Sequence, residues 1–492
     1  MSDDGSSVDV SPAVAETHSG VVFLLGDRAY KLKKPLDLGF LDFTTREARQ
    51  AVCRREVELN RRLAPDVYLG VADVTGTSGE LCDHLVVMRR MPSSRRLSTL
   101  VTAGVDVDDQ VDAVARTMAS FHGRAERCPA ADAAAAAAAA AGRWAANTAV
   151  LRKEAGRLVP AEDVERVDAL AARYLAGRSE LFEQRVLAGR ACDGHGDLLA
   201  DDIFCLDDGP RILDCIEFDD ELRYGDGLAD VAFLAMDLEH LGRPDLGTRL
   251  LEVYRAAAGD EWPASLAHHH IAYRAQVRAK VATIRAGQGG EGAGEEAERR
   301  LTLARRHLEA ARVRLVLVGG LPGTGKSTLA AGIGRALGAV VLRTDEVRKE
   351  LAGLPATQPA GAAYGEGIYR AEHTAAAYRE ALARAGSALR SGETVVLDAS
   401  WSQARHRGWA RETGAGTNSD VVELRCDAPV EVTSARLLAR ARQGGDASDA
   451  DPAIGAAMAS DRDPWPEATT VDTAADPRAA LDLALAAVSS LQ

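Results

Sequence analysis

The chain is short of lysine, sparse in cysteine and without a long apolar run, and each shortage excludes something. Its seven cysteines (Cys53, Cys82, Cys128, Cys192, Cys205, Cys215 and Cys426) never form a C-x-x-C pair, so neither a zinc ribbon nor a dithiol redox centre is indicated. An odd, scattered set fits reduced thiols in a cytosol, and a cytoplasmic location is the expectation. The opening residues, MSDDGSSVDVSPAVAE, are acidic and lack the apolar stretch of a secretory signal. Only the alanine tract around 131–141 approaches a membrane-spanning length; alanine is a weak membrane former and Arg143 ends the run, so no membrane partner is expected. Cations are outnumbered, 59 Lys and Arg against 73 Asp and Glu, for a net charge of −14. A general nucleic-acid binder needs a basic face to replace phosphate counterions, so that class is disfavoured, although a local basic cleft for a nucleotide is not.

What is there points to more than one domain. At roughly 150 residues per domain, 492 residues suggest two to four units. GVVFLLGD and RAYKLKKP over 20–35 predict a strand pair turning at Gly26-Asp27, and 44–64 predicts a helix capped by Thr44 or Thr45. Two more strands are expected within 67–91, helices over 108–190, and strands at 203–206 and 211–218. Helical sequence then runs to about 310, interrupted by the glycine-rich GQGGEGAGEE at 287–296, which is expected to be a flexible break. From Arg312 short apolar strands (RVRLVLVGG, AVVLRTD, TVVLD, DVVELRCD) alternate with helices, the pattern of a parallel α/β sheet. A domain boundary is expected near 305–312, giving units 1–305 and 312–492.

Residues 320–327, Gly320, Leu321, Pro322, Gly323, Thr324, Gly325, Lys326 and Ser327, match G-x-x-x-x-G-K-[ST] between a strand and a helix, with Thr328 following. Glycines let backbone N–H groups turn toward phosphate oxygens, and the positive end of the next helix adds to the attraction. Lys326 is expected at the β- and γ-phosphates of ATP, and Ser327 on Mg²⁺. Asp398 ends the strand TVVLD, where a carboxylate supports Mg²⁺ directly or through water.

Asp345 and Arg348 lie three apart at the start of a helix and share a face, suited to hold an acceptor hydroxyl with Asp345 as base and Arg348 as anion clamp; an ordinary helix cap is the alternative. Arg436, Arg440 and Arg442 precede a Gly-Asp-Ser loop, either a lid closing arginines over phosphates or a solvated face. Trp401, Arg405 and Arg407 are candidates for the acceptor pocket or for plain surface. GLPGTGKST, RTDEVRKEL, VVLDAS and the arginine helix together resemble the small-molecule and polynucleotide kinases of the P-loop class: gluconate kinases, chloramphenicol phosphotransferase and zeta toxins. The resemblance implies Asp345 as base and Arg348 as acceptor contact.

In the N-terminal two thirds, Asp193-Gly194-His195-Gly196-Asp197-Leu198 runs on to DDIF and then ILDCIEFDD, Gly225-Asp226 and Asp230. This resembles the aminoglycoside phosphotransferase and choline kinase family, with its H-G-D-x-x-x-x-N loop and I-D-F-like strand. The match implies a two-lobed kinase-like α+β fold, Asp197 as base, and Asp202 and Glu217 at the metal-binding positions. It also implies that Asp230 braces the loop. Asp202 stands where the family has Asn, Glu217 where it has Asp, and Leu199 where it has a second histidine; Asp214 and Asp219 are rival ligands. Three of the seven lysines are Lys31, Lys33 and Lys34. Lys31, paired with Glu56 from CRREVELNRRL, is expected to hold the α/β-phosphates. The G-x-G-x-x-G cover usual before such a lysine is missing.

The sequence therefore predicts a bifunctional ATP- and Mg²⁺-dependent phosphotransferase acting on small hydroxylated substrates. Its rivals are a P-loop kinase or ATPase regulated by a silent N-terminal binding module, and a polynucleotide-kinase-like end-healing enzyme.

Overall fold

The computed structural model describes residues 11–16, 20–36, 42–355, 358, 365–443, 448, 450–474 and 476–489. The 444–447 part of the loop assigned to a lid lies outside them. The chain divides into two compact units: 1–168, 182–262 and 267–308 form the first, and 169–181, 263–266 and 309–492 the second.

The first unit begins with an antiparallel sheet in the order β1-β2-β3-β5-β4. Its strands are β1 (Ala13–Glu16), β2 (Gly20–Leu25), β3 (Arg28–Lys33), β4 (Tyr68–Thr75) and β5 (Leu81–Arg89). The β2–β3 hairpin turns at Gly26, which takes a φ of 57° that favours glycine. Alternation along β3 sends Ala29, Lys31 and Lys33 to the buried face. The helix Arg46–Asn60 is capped by Thr45, whose hydroxyl accepts from the Ala48 amide, and it buries Cys53, Glu56, Val57 and Asn60. These positions recur at the three- and four-residue spacing of one helix face, and Cys53 and Val57 pack with Val86, Phe204 and Leu213.

Helices dominate the remainder of this unit, with short hairpins between them: β6 (Ala191–Asp193) pairs with β9 (Tyr224–Asp226), and β7 (Ile203–Leu206) with β8 (Gly209–Ile212). The strand expected over 211–218 is therefore corrected: β8 ends at Ile212, because Asp214 takes a φ of 64° that no strand residue adopts. The glycine-rich break is also narrower than expected. Helix Ala264–Gly287 stops there, helix Ala293–Ala310 resumes at once, and Gly294, Glu295 and Glu296 belong to it. Among the described residues no helix is long and apolar enough to cross a membrane; the alanine tract lies in two helices, Pro129–Ala135 and Ala137–Lys153.

The second unit is built on a fully parallel sheet, ordered β11-β12-β10-β13-β14. Its strands are β10 (Arg314–Gly319), β11 (Val340–Arg343), β12 (Val395–Asp398), β13 (Asp420–Asp427) and β14 (Thr469–Asp472). The central β10 and β12 are buried along nearly their whole length, as expected of strands covered on both faces. Helices Lys326–Leu337 and Pro477–Ser489 pack on it around Val316, Ile333, Val396 and Ala484. Residues from early in the chain complete this unit. Arg178, 1% exposed, donates to the Thr417 carbonyl at 2.5 Å and the Ser419 hydroxyl at 3.1 Å, and Ser265 donates to the Gly392 carbonyl at 2.7 Å.

Candidate functional site

Parallel register sets the second unit's site. Val318 and Arg343 both pair with Asp398, so β10, β11 and β12 bring the start of the phosphate loop, Arg343 and Asp398 to the same carboxyl edge. Gly320, Gly323 and Gly325 take φ values of 137°, 80° and 86°. A side chain at Gly320 would also strike the Cys426 carbonyl at 2.5 Å, so this loop is closed to other residues. Leu321, Pro322 and Thr324 complete the turn, Thr324 Oγ1 donating to the Leu321 carbonyl at 2.7 Å. Lys326 Nζ donates to that same carbonyl at 3.1 Å. Thr328 sits in the first turn of the helix that Gly325 opens, on the wall of a separate recess with Gly325 and Arg436.

A cleft of about 260 Å³ is lined by Lys326, Ser327 and Asp398 together with Asp345, Arg348 and Arg405. Arg348 donates to Asp345 at 2.5 Å and stacks 5.0 Å from the Tyr369 ring. Burial raises Asp398 above the usual carboxylate range even though Lys326, Ser327 and Arg343 hold it down. Ser327 and Asp398 are hard oxygen donors in one place, a fit for Mg²⁺, and these two would hold it. Bound there, Mg²⁺ would neutralise charge on the phosphates.

The arginines and aromatics divide. Arg440 lines the cleft, while Arg436 donates through Nη2 to the Thr473 carbonyl at 2.7 Å and leaves a buried Nη1 unpartnered beside Gly325 of the phosphate loop. Trp401 is fully buried with its indole donating to the Leu397 carbonyl at 3.2 Å, and Arg407 is spent on the carbonyls of Trp401 and Pro464, so neither lines an acceptor pocket. Arg405 does. Sequence reasoning missed Arg343, Tyr369, Tyr378 and His406, which line the same cleft. Tyr378 and His406 stack at 4.1 Å.

In the first unit the pairing of Lys31 with Glu56 is present, at 2.9 Å, but it is part of a larger network. Lys33 also meets Glu56 at 2.5 Å; Lys31 meets Asp214 and Lys33 meets Glu217, each at 2.5 Å. Burial opposes the charge on Lys31, yet Asp214, Glu56 and Glu217 outweigh it and hold its pKa well above the ordinary value. Glu217 is tied to Lys33 with its side chain 7% exposed, whereas the Asp214 side chain is 48% exposed. Asp214 is thus the more accessible of the two carboxylates to a cation.

The catalytic-loop region is braced from behind. Asp230 accepts from the Gly196 amide at 2.9 Å and also from the His195 amide, the bracing role expected of it. Gly194 has no room for a side chain, since one would meet the Asp230 carboxylate at 2.3 Å. Arg62, which no motif singled out, donates to the Asp193 and Gly194 carbonyls. Burial pushes Asp197 up to about 6, with Arg278 and Arg274 pulling the other way. Burial and the nearby Asp214 and Asp197 raise Asp202 well above the usual range. Crowded carboxylates of this kind favour a divalent cation between them, and Asp202 with Asp214 would hold it. Asp197 also lines a cavity of about 930 Å³.

A two-lobed kinase-type unit with an Asp-bearing loop, followed by a P-loop unit on a parallel sheet, defines a phosphotransferase. The chain belongs to the phosphotransferase enzyme family, whose model matches residues 21–268. An AAA domain model matches residues 315–465. Uncharacterized proteins of Mycobacterium tuberculosis and Mycobacterium bovis are each 46% identical over 461 residues, covering 94% of this chain and 92% of theirs. Among solved structures, a choline/ethanolamine kinase family protein from Mesorhizobium loti is 15% identical with a TM-score of 0.39, covering 62% of this chain and 94% of its own. A gluconokinase from Sinorhizobium meliloti 1021 is 20% identical with a TM-score of 0.26, covering 37% and 93%. The N-terminal domain is thus the part that matches the phosphotransferase enzyme family, and the C-terminal domain the part that matches the AAA domain.

Proposed function

We propose that the chain is a bifunctional ATP-dependent phosphotransferase, each unit transferring the γ-phosphate of ATP to a hydroxyl of a small molecule. The observation that carries this reading is the shared cleft of the second unit. Its phosphate side (Lys326, Ser327, Asp398) and its acceptor side (Asp345, Arg348) line one space of about 260 Å³, small enough to bring a hydroxyl against a γ-phosphate. In each unit a bond forms from the acceptor oxygen to the γ-phosphorus, the bond to the ADP oxygen breaks, and the hydroxyl proton passes to the aspartate: Asp345 in one, Asp197 in the other. Lys326 and Arg348 counter charge on the phosphates and the acceptor, so positioning and electrostatics supply the rate.

The experiment is phosphate transfer from γ-labelled ATP to a panel of hydroxylated metabolites, using the full chain, Asp197→Asn, Lys326→Ala and the double variant. Separable activities are expected: each single variant keeps the other unit's products, and the double variant keeps none. If Asp197→Asn changes nothing while Lys326→Ala removes all turnover, the first unit is a silent binding module. That second reading is favoured by the full engagement of Lys31 and Lys33 with carboxylates and by Asp202 in place of an amide. If either change silences everything, the two sites are coupled and the bifunctional reading fails.

A further inference from the structure

The cavity with Asp197 in its wall carries no surplus of charge. Among the described residues three acids of the wall lack an ion pair, Asp197, Asp219 and Glu221, and so do three cations, Arg143, Arg278 and Lys280. The other charged groups are paired: Arg223 with Asp193 at 2.7 Å, Asp226 with Arg185 at 2.7 Å, and Asp230 with Arg274 at 3.7 Å. An ion entering this space would meet as many like charges as opposite ones, so the wall gives neither sign an advantage to offset its loss of water.

What the wall does bring together is ring surface. Tyr273 meets Trp144 at 5.5 Å, Trp144 meets His269 at 5.6 Å, and Phe182 meets His269 at 5.8 Å and His270 at 6.3 Å, so these rings form one continuous panel, and each of them lines the cavity. The Trp144 indole already donates to His269 Nε2 at 3.4 Å, and burial keeps both imidazoles uncharged, lowering His270 to about 3. Helix Ala264–Gly287 carries the panel onward. Tyr273, Val277, Val281 and Ile284 recur at the spacing of one helix face, the first three half-buried and Ile284 42% exposed. An apolar stripe left open to a cavity is surface that a guest removes from water at a gain. The panel also stands beside the Asp-bearing loop. Arg274 donates to the Gly196 carbonyl at 3.1 Å, one residue before Asp197, and its guanidinium lies 5.7 Å from the Tyr273 ring.

We infer that the acceptor of the first unit is an uncharged alcohol built on a bulky apolar ring system, with its rings against Trp144 and Tyr273, its flank along Val277 and Val281, and its hydroxyl toward Asp197. This rests on the kinase reading of that unit. The size of the cavity agrees. Sites for drug-sized ligands run from roughly 300 to 1,000 Å³; this one is about 930 Å³, against about 260 Å³ in the second unit. A small polar metabolite would leave both the panel and the stripe wet. Aromatic faces also attract cations, but here a cation is already in place: the Arg274 guanidinium lies 4.6 Å from the Phe233 ring as well as beside Tyr273, and the Arg143 charge reaches both histidines. A cationic acceptor would be driven against those two arginines, whereas an uncharged one is not.

The test is calorimetric titration of the full chain with four probes: naphthalenemethanol, benzyl alcohol, and naphthalenemethanol carrying either a carboxylate or an aminomethyl group on its far ring. Naphthalenemethanol should bind about 10- to 100-fold more tightly than benzyl alcohol, the gain expected from burying a second ring, and more tightly than either charged analogue. Tyr273→Ala and Val281→Glu should each weaken that binding about tenfold, the first by removing a ring of the panel and the second by placing a charge on the stripe. Leu187→Glu, an apolar-to-acid change at a position 86% exposed in the same unit and outside the cavity wall, should leave it unchanged. Thermal unfolding that matches the unaltered chain separates lost binding from lost folding, and the half-buried position of Val281 keeps that variant informative where Tyr273→Ala fails to fold. Tighter binding of a charged analogue, equal binding of benzyl alcohol, no binding of naphthalenemethanol, or binding indifferent to Tyr273 and Val281 overturns the inference. Transfer of γ-labelled phosphate to naphthalenemethanol, and its loss in Asp197→Asn, tests the kinase reading separately. Binding that depends on Tyr273 and Val281 without transfer would remove that reading while supporting the apolar site.

Discussion

The two units hold their phosphate-facing lysines in opposite ways. Lys326 rests on a neutral carbonyl, and no carboxylate lies within ion-pair distance of it among the described residues. Lys31 and Lys33 share three carboxylates, Glu56, Asp214 and Glu217. A nucleotide reaching Lys326 has one ordinary hydrogen bond to displace, worth about 1 kcal/mol. A nucleotide reaching Lys31 must draw it away from charges that stabilise it, or bring a cation that takes Asp214 in exchange. The glycines of the P-loop supply a preformed cradle of backbone amides, and the sequence before Lys31 has no G-x-G-x-x-G run to supply one. The comparison teaches that a lysine can be held lightly beside a rigid glycine-rich backbone, or locked into a balanced ionic network that must be reopened before it meets another anion.

That contrast can be broken at several points. The largest effect is expected from Asp345→Asn, which should lower acceptor phosphorylation in the second unit about 10²- to 10⁴-fold with ATP affinity unchanged, as removal of a general base does; initial rates beside nucleotide titrations check it. A fall in ATP affinity instead would make Asp345 a nucleotide ligand or a cap. Next is stability. Glu56→Gln strips both lysines of their common partner and should destabilise the first unit on the order of 3–5 kcal/mol, whereas Lys326→Ala should cost about 1 kcal/mol. Chemical unfolding of the full chain compares the two, and equal losses would end the contrast between the lysines.

A smaller, graded effect is expected from pH. Asp197 must be ionised to take a proton, and burial lifts it to about 6. The first unit's kcat/KM should therefore fall about tenfold per pH unit below that point and level off above it, and a profile flat from pH 5 to 8 would remove Asp197 as base. The smallest is Arg436→Ala. With Nη2 of its guanidinium bonded to the Thr473 carbonyl and only Nη1 unpartnered, its loss should change acceptor phosphorylation only a few-fold, less than the loss of Arg440 from the cleft wall.

The P-loop was fully legible in the sequence because one contiguous stretch between a strand and a helix carries it. The partners of that loop were legible only in part. Asp345, Arg348 and Asp398 follow strand ends and could be found from the strand pattern. Tyr369, Tyr378 and His406 come from segments with no motif, and only the folded chain brings them to the cleft. In the first unit, the brace at Asp230, like the expectation for Asp197, came from the family resemblance, and the folded chain does put Asp230 on the loop amides. The choice between Asp214 and Glu217 was not readable in the sequence. Motif spacing extends a strand through Glu217, but the left-handed backbone at Asp214 ends it early and turns Asp214 rather than Glu217 outward.

Residues 169–181 and 263–266 belong to the second unit although the first unit's sequence surrounds them. Gly177 packs so closely on the Thr417 backbone that a side chain there would lie 2.4 Å from its carbonyl oxygen, and Gly392 is as confined by Pro263 and Ser265. A gene fragment opening at residue 309 would therefore encode a P-loop unit missing its Arg178 and Ser265 anchors. Recombination could not lift that unit out as a cassette and leave both products whole. The two units are inherited as one indivisible text, and a substitution at Gly177 would be felt by the P-loop unit, whose motifs begin more than a hundred residues downstream.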